Sequence, residues 1–222
     1  MKSSMIAPSV YSDELKLDWN YTAYLPSSYD AENNTDFPVL YLMHGAFGNH
    51  RNLVERFPIQ DQLDKLIKNE KLDEMVVVFI DGFNSFYIDG PGVKMESAIM
   101  NDLIPKVEEK LGLSPNRNNR FIGGISMGAY GASNLILRYP EMFSKGILLS
   151  PAVWYEMTES TVTYNWHVFR DENKEFDHEM WKKEHPISQI EDFESKGLDI
   201  SLYLGSGKKD EAVPYEIVER FV

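Results

Sequence analysis

Apolar residues in this chain fall into short unbroken runs separated by longer stretches of helical spacing. Val39-Leu40-Tyr41-Leu42-Met43 and Met75-Val76-Val77-Val78-Phe79-Ile80 contain no charged position. Runs of that length mark strands covered on both faces, as in a parallel sheet. Gly146-Ile147-Leu148-Leu149-Ser150 and Ile200-Ser201-Leu202-Tyr203-Leu204 are read as further buried strands, as is Arg120-Phe121-Ile122. Leu17 to Leu25 alternates in places and reads as an early strand ending at Pro26, followed by a polar turn region from Ser27 to Phe37. Between the runs, Gln60 to Lys68 sets Leu63, Leu66 and Ile67 at helical spacing. Glu96 to Leu111 sets Ile99, Leu103, Val107 and Leu111 on one face, with a kink expected at Pro105. Strands alternating with helices predict an α/β chain: one domain over 1–222 with a doubly wound, mostly parallel sheet and helices on both faces.

From about 151 to 188 the alternation stops. Trp154, Tyr155, Tyr164, Trp166, Phe169 and Trp181 stand there among Glu and Asp. An irregular insertion above a sheet is where a cap over a pocket sits. Trp154 and Trp166 of this insertion, together with Phe47, are the expected pocket residues.

The chemistry is concentrated at Gly124-Ile125-Ser126-Met127-Gly128, between an apolar run and a helix-like run. G-x-S-x-G in a strand-to-helix setting is the nucleophile elbow of the α/β-hydrolases. The tight turn lifts a serine Oγ above the sheet, and the glycines remove Cβ atoms that would collide. Ser126 is therefore the candidate nucleophile. His44-Gly45-Ala46-Phe47-Gly48 follows the first unbroken run and offers a backbone N–H toward the same space. The N–H groups of Ala46 and Met127 are the candidate oxyanion hole, with Phe47 the alternative to Ala46. His44 itself reads as a loop anchor.

Asp210 lies in a turn leaving the last apolar run, where the chain order serine, acid, histidine places the acid. Its other reading is a turn aspartate capping the helix that Pro214 begins; Glu211 is a weaker substitute. That order asks for a histidine after Asp210, and Glu211 to Val222 has none. The five histidines, His44, His50, His167, His178 and His185, all precede it. Solvated or capping roles suit those of the cap, and a swing of one over the pocket is the alternative. No metal or cofactor is expected: His178 and His185 are too far apart for H-E-x-x-H, and Asp171, Glu172, Glu175 and Asp177 read as solvated acidic surface.

A net charge of −13 argues against nucleic acid and anionic membranes as partners. Without cysteine, disulfides and thiol catalysis are excluded. The N-terminal residues show no apolar leader segment and no run is long enough to span a bilayer, so a cytoplasmic setting is expected, with export left open.

Taken together, these residues resemble the esterase D-like branch of the α/β-hydrolases: S-formylglutathione hydrolases, tributyrin, feruloyl and acetylxylan esterases, and the antigen 85 mycolyltransferases. The resemblance runs from Tyr24-Leu25-Pro26 through Tyr41-Leu42-Met43-His44-Gly45, Ser85-Phe86-Tyr87, Met95-Glu96 and Leu103-Ile104-Pro105. It continues through Gly124-Ile125-Ser126-Met127-Gly128-Ala129-Tyr130-Gly131-Ala132 to Gly205 and Asp210. It implies Ser126 as nucleophile, Asp210 as acid, and Ala46 and Met127 as oxyanion donors. The family continues with a further strand, a loop carrying the base and a C-terminal helix, so the resemblance implies that this chain lacks that segment. An uncovered sheet edge would then offer pairing with a second copy. The function expected is a serine carboxylesterase for short acyl or aromatic-acid esters, a small-molecule substrate. The alternative is a hydrolase-fold protein without turnover.

Overall fold

The computed structural model describes residues 2–32, 37–161 and 163–221, so part of the 27–37 turn region lies outside it. Among the described residues the strands are β1 (Ser4–Ile6), β2 (Ser9–Ser12), β3 (Leu17–Leu25), β4 (Val39–Met43), β5 (Val76–Ile80), β6 (Asp89–Gly90), β7 (Val93–Lys94), β8 (Arg120–Ile125), β9 (Lys145–Leu149) and β10 (Ser201–Gly205). The helices are α1 (Asn52–Arg56), α2 (Ile59–Lys68), α3 (Met95–Ala98), α4 (Ile104–Lys110), α5 (Met127–Arg138), α6 (His178–Glu184), α7 (Ile190–Ser195) and α8 (Tyr215–Phe221).

The main sheet runs β1-β3-β5-β4-β8-β9-β10, with β2 also on β3, and β6-β7 form a separate hairpin. From β5 through β10 the pairs are parallel; β3 is antiparallel to β1, β2 and β5. The two-residue period of a strand sorts the unbroken runs between two cores. Val39, Tyr41, Met43, Val76, Val78 and Ile80 enter the larger core with α5 and the 95–110 helix. Leu40, Leu42, Val77 and Phe79 face the other way, against Leu53 and Val54 of α1 and Ile59, Leu63 and Ile67 of α2. Helices therefore cover both faces, as the sequence pattern predicts.

Three expectations are corrected. The Glu96 to Leu111 helix has a π turn at Ile99–Leu103, immediately before Pro105, in place of a simple proline kink. A proline cannot donate to the carbonyl one turn back, and the wider π turn accommodates that. The strand at 200–204 is not buried: β10 is the sheet's last strand, and Leu202 and Tyr203 are 42% and 64% exposed. The 151–188 insertion is less irregular than expected, since it contains α6, whose Asp177 side chain caps the Met180 N–H. No helix among the described residues is long and apolar enough to cross a membrane.

Candidate active site

Ser126 stands where β8 turns into α5, with φ 56° and ψ −116°. A positive φ in a non-glycine residue costs on the order of 1–3 kcal/mol and persists only where its surroundings hold it. Here the Ser126 N–H donates to the Leu149 carbonyl (2.8 Å), and its carbonyl accepts from the N–H groups of Tyr130 (3.0 Å) and Ala152 (3.2 Å). The glycines permit the turn. A Cβ on Gly124 would lie 2.3 Å from the Gly128 carbonyl carbon, and one on Gly128 would lie 2.4 Å from the Met43 carbonyl oxygen. The start of α5 thus rests directly on the end of β4.

That contact brings the loop after β4 to the elbow. A Cβ on Gly45 would be 3.5 Å from that of Ser126. His44 is buried and locks the loop: its Nδ1–H donates to the Gly45 carbonyl (2.7 Å), and its Nε2 accepts from the Gly82 N–H (3.0 Å). One neutral tautomer serves both bonds, so the anchor role expected for His44 is what its hydrogen bonds describe. Beside it, Asp81 lies 3.6 Å from His44 Nε2. Asp81 Oδ1 accepts from the Phe83 N–H at 3.2 Å.

Phe47 has φ 61°, and its N–H donates to Asn84 Oδ1 at 2.9 Å. Its ring is 65% exposed and meets Trp166 edge-on at 5.2 Å between centroids. Trp166 in turn touches Phe86 and borders a cleft of about 840 Å³ with Phe83, Asn84, Asn165 and His167. Trp154 is half-buried against the core, two residues past Ala152, which bonds Ser126.

Asp210 follows β10 and binds its own turn: Oδ1 accepts from the N–H groups of Val213 (2.9 Å) and Ala212 (3.0 Å). The Val213 N–H above all, with Ser150 and the Ala212 N–H, outweighs burial and lowers its carboxyl below the usual value. Ser150, with φ 43°, follows β9 and donates its N–H to the Gly205 carbonyl (2.7 Å). Asp210 therefore closes its own turn ahead of α8 and, among the described residues, makes no bond to that helix's N–H groups; it follows the strand two places from that of Ser126.

The histidines are engaged elsewhere. His50 Nδ1 pairs with the Thr22 hydroxyl (2.8 Å). His185 is buried among Tyr130, Tyr155 and Trp181; its Nδ1 accepts from the Ile187 N–H and its Nε2 faces the Val153 carbonyl. Burial pushes its pKa down despite that carbonyl. His178 is exposed beside Phe176, and His167 is exposed at the rim of the cleft. Among the described residues no cluster of three His, Asp or Glu side chains suits a metal ion.

The sequence reading missed Asn84, Ser150 and the hydroxyl of Tyr87, which donates to the His44 carbonyl (3.1 Å). Ser85-Phe86-Tyr87 was part of the resemblance, yet only the fold gives Tyr87 a partner.

A family model described as "Putative esterase" matches residues 12–221. The YbbA protein of Bacillus subtilis is 31% identical over 153 residues, 64% of this chain and 60% of that protein. An acetyl esterase of Caldicellulosiruptor saccharolyticus is 30% identical over 155 residues, 64% of this chain and 54% of that protein. The matches thus span less than two thirds of either relative's length. The S-formylglutathione hydrolase structure from Staphylococcus aureus superposes with a TM-score of 0.76 at 19% identity, covering all of this chain and 85% of that one. The fold is that of the α/β-hydrolases.

Proposed function

The chain belongs to the esterase family, and from that premise we propose that it is a serine carboxylesterase acting on short acyl or aromatic-acid esters through an acyl-enzyme on Ser126. The observation that carries this reading is the positive-φ backbone of Ser126, held by three hydrogen bonds at a strand-to-helix turn that only glycines permit. A plain turn serine needs no such geometry. In the first step Ser126 Oγ adds to the ester carbonyl carbon while its proton passes to a base. The tetrahedral oxyanion is met by the N–H groups of Ala46 and Met127. The alcohol departs with that proton, and water then cleaves the acyl-enzyme by the same path.

Met127 suits its part because the first N–H groups of a helix have no acceptor within it and carry the positive end of its dipole. Ala46 is favoured over Phe47 because the Phe47 N–H is committed to Asn84. Phe47 and Trp166 form the aromatic wall of the acyl pocket, and Trp154 stays a pocket residue by proximity alone. Asp210 is the acid: its ionised form is stabilised, and two parallel-strand spacings, about 10 Å, separate its strand from that of Ser126. A triad requires an imidazole between the two.

None of the five histidines stands in that place, which favours a second reading in which this chain by itself acylates or binds without turnover. Hydrolysis of 4-nitrophenyl acetate with added imidazole separates the two. The esterase reading expects a hydrolysis rate that rises with imidazole and is lost in Ser126→Ala, beyond the background given by imidazole alone. A rate identical in both proteins at every imidazole concentration would remove the esterase reading. The open outer edge of β10, with Leu202 and Tyr203 exposed, supports pairing with a second copy. Sedimentation showing only monomer would end that part of the proposal.

A further inference from the structure

The segment after β5 carries three non-glycine residues at positive φ: Phe83 (49°), Phe86 (55°) and Tyr87 (60°). Such a cluster marks a loop whose shape is dictated by what it must hold. It grips the loop after β4 at two points. At one, the Gly82 N–H donates to His44 Nε2 (3.0 Å) and the Tyr87 hydroxyl to the His44 carbonyl (3.1 Å). At the other, Asn84 Oδ1 accepts the Phe47 N–H (2.9 Å).

Ala46 lies between the grips, and both of its peptide planes are affected. The plane ahead of it contains the Gly45 carbonyl, which accepts from His44 Nδ1 (2.7 Å) and the Gly48 N–H (3.2 Å). In a trans peptide the Ala46 N–H must then point the opposite way. The plane after it contains the Phe47 N–H, which Asn84 holds. Phe47 has a positive φ and a mostly exposed ring, so burial does little to keep its backbone in place.

We infer that Asn84 is a positioning residue for acyl transfer: by holding the peptide after Ala46, while the bonds to the Gly45 carbonyl hold the peptide before it, Asn84 keeps the Ala46 Cα from swinging and so steadies the Ala46 N–H toward Ser126. The inference rests on the esterase reading. The Phe47 N–H requires an oxygen, so the Asn84 amino group turns away from Phe47. Asn84 also borders the 840 Å³ cleft, whose lining does not include Ser126.

The test compares Asn84→Leu, which removes the acceptor, with Asn84→Asp, which keeps one. Asn84 is exposed, so neither substitution disturbs the core. Two quantities are read: hydrogen exchange of the Phe47 amide, and kcat and KM for 4-nitrophenyl acetate with imidazole present. Asn84→Leu is expected to raise Phe47 exchange about fivefold or more. It should lower kcat by roughly tenfold to a hundredfold while KM moves little. Asn84→Asp should restore the protection and part of kcat. Unchanged exchange in Asn84→Leu overturns the inference, as does raised exchange with unchanged kcat. If the wild-type chain shows no Ser126-dependent hydrolysis, the esterase reading fails on its own, and Phe47 exchange still decides whether Asn84 pins the loop.

Discussion

Single residues at this site do their work through backbone groups more than through side chains. Ser126 is held by its own N–H and carbonyl, Ala46 and Met127 are proposed to act through N–H groups, and Asp210 is gripped by the N–H groups of its turn. Asp210 gives a pH prediction with a definite sign. Its carboxyl is lower in the folded chain than the ordinary value of about 3.9. It therefore contributes stability that is fully present above that value and is lost as pH falls through the folded one. Thermal melts of wild type and Asp210→Asn should differ most near neutral pH and converge in acid; a difference that grows on acidification would contradict this account. Ser126 was legible in the sequence because its strain needs glycines at fixed offsets, and that need is written in five consecutive letters. Asn84 was not. Its role is one hydrogen bond to a residue 37 positions away, and nothing in a local pattern encodes such a pairing.

At the scale of elements, legibility followed burial. β4 and β5 lie in the middle of the sheet with neighbours on both sides, and their unbroken apolar runs showed it. β10 has the same kind of run but only β9 as a partner, and composition does not tell an edge strand from a central one. β1 and β2, short and flanked by Ser and Pro, gave no signal at all. The helix at 95–110 shows how an element absorbs a local misfit. Its π turn places Asp102 where it accepts from the Ser12 hydroxyl (2.7 Å) and the Glu14 N–H (2.9 Å), and pairs with Lys106 (2.9 Å). The helix is thereby fastened to the N-terminal strands. Asp102→Ala would leave Ser12, which is fully buried, without its acceptor. The expected loss is about 1–3 kcal/mol in urea unfolding; a variant as stable as wild type would show that these bonds do not fasten the helix to the N-terminal strands.

Across the whole molecule the sheet lines up three strand ends, β8, β9 and β10, each tied to the next beyond its last ladder bond. Ser126 N–H reaches Leu149, and Ser150 N–H reaches Gly205. The cap is anchored to the same body by Arg138 of α5, which pairs with Glu96 and Glu184, and by the Tyr130 hydroxyl on the Glu184 carbonyl. Alternating strands and helices announced this architecture, since both are consequences of periodicity. The cap's aromatic nest around Trp181 was visible only as composition, because irregular segments have no period to read. We propose that this frame makes Ser126 a nucleophile. The most direct test is intact-mass spectrometry of the chain after exposure to an alkyl fluorophosphonate in imidazole buffer, with Ser126→Ala alongside. One adduct on the wild-type chain and none on the variant is the predicted result. An unmodified wild-type chain, or equal modification of both, would contradict it.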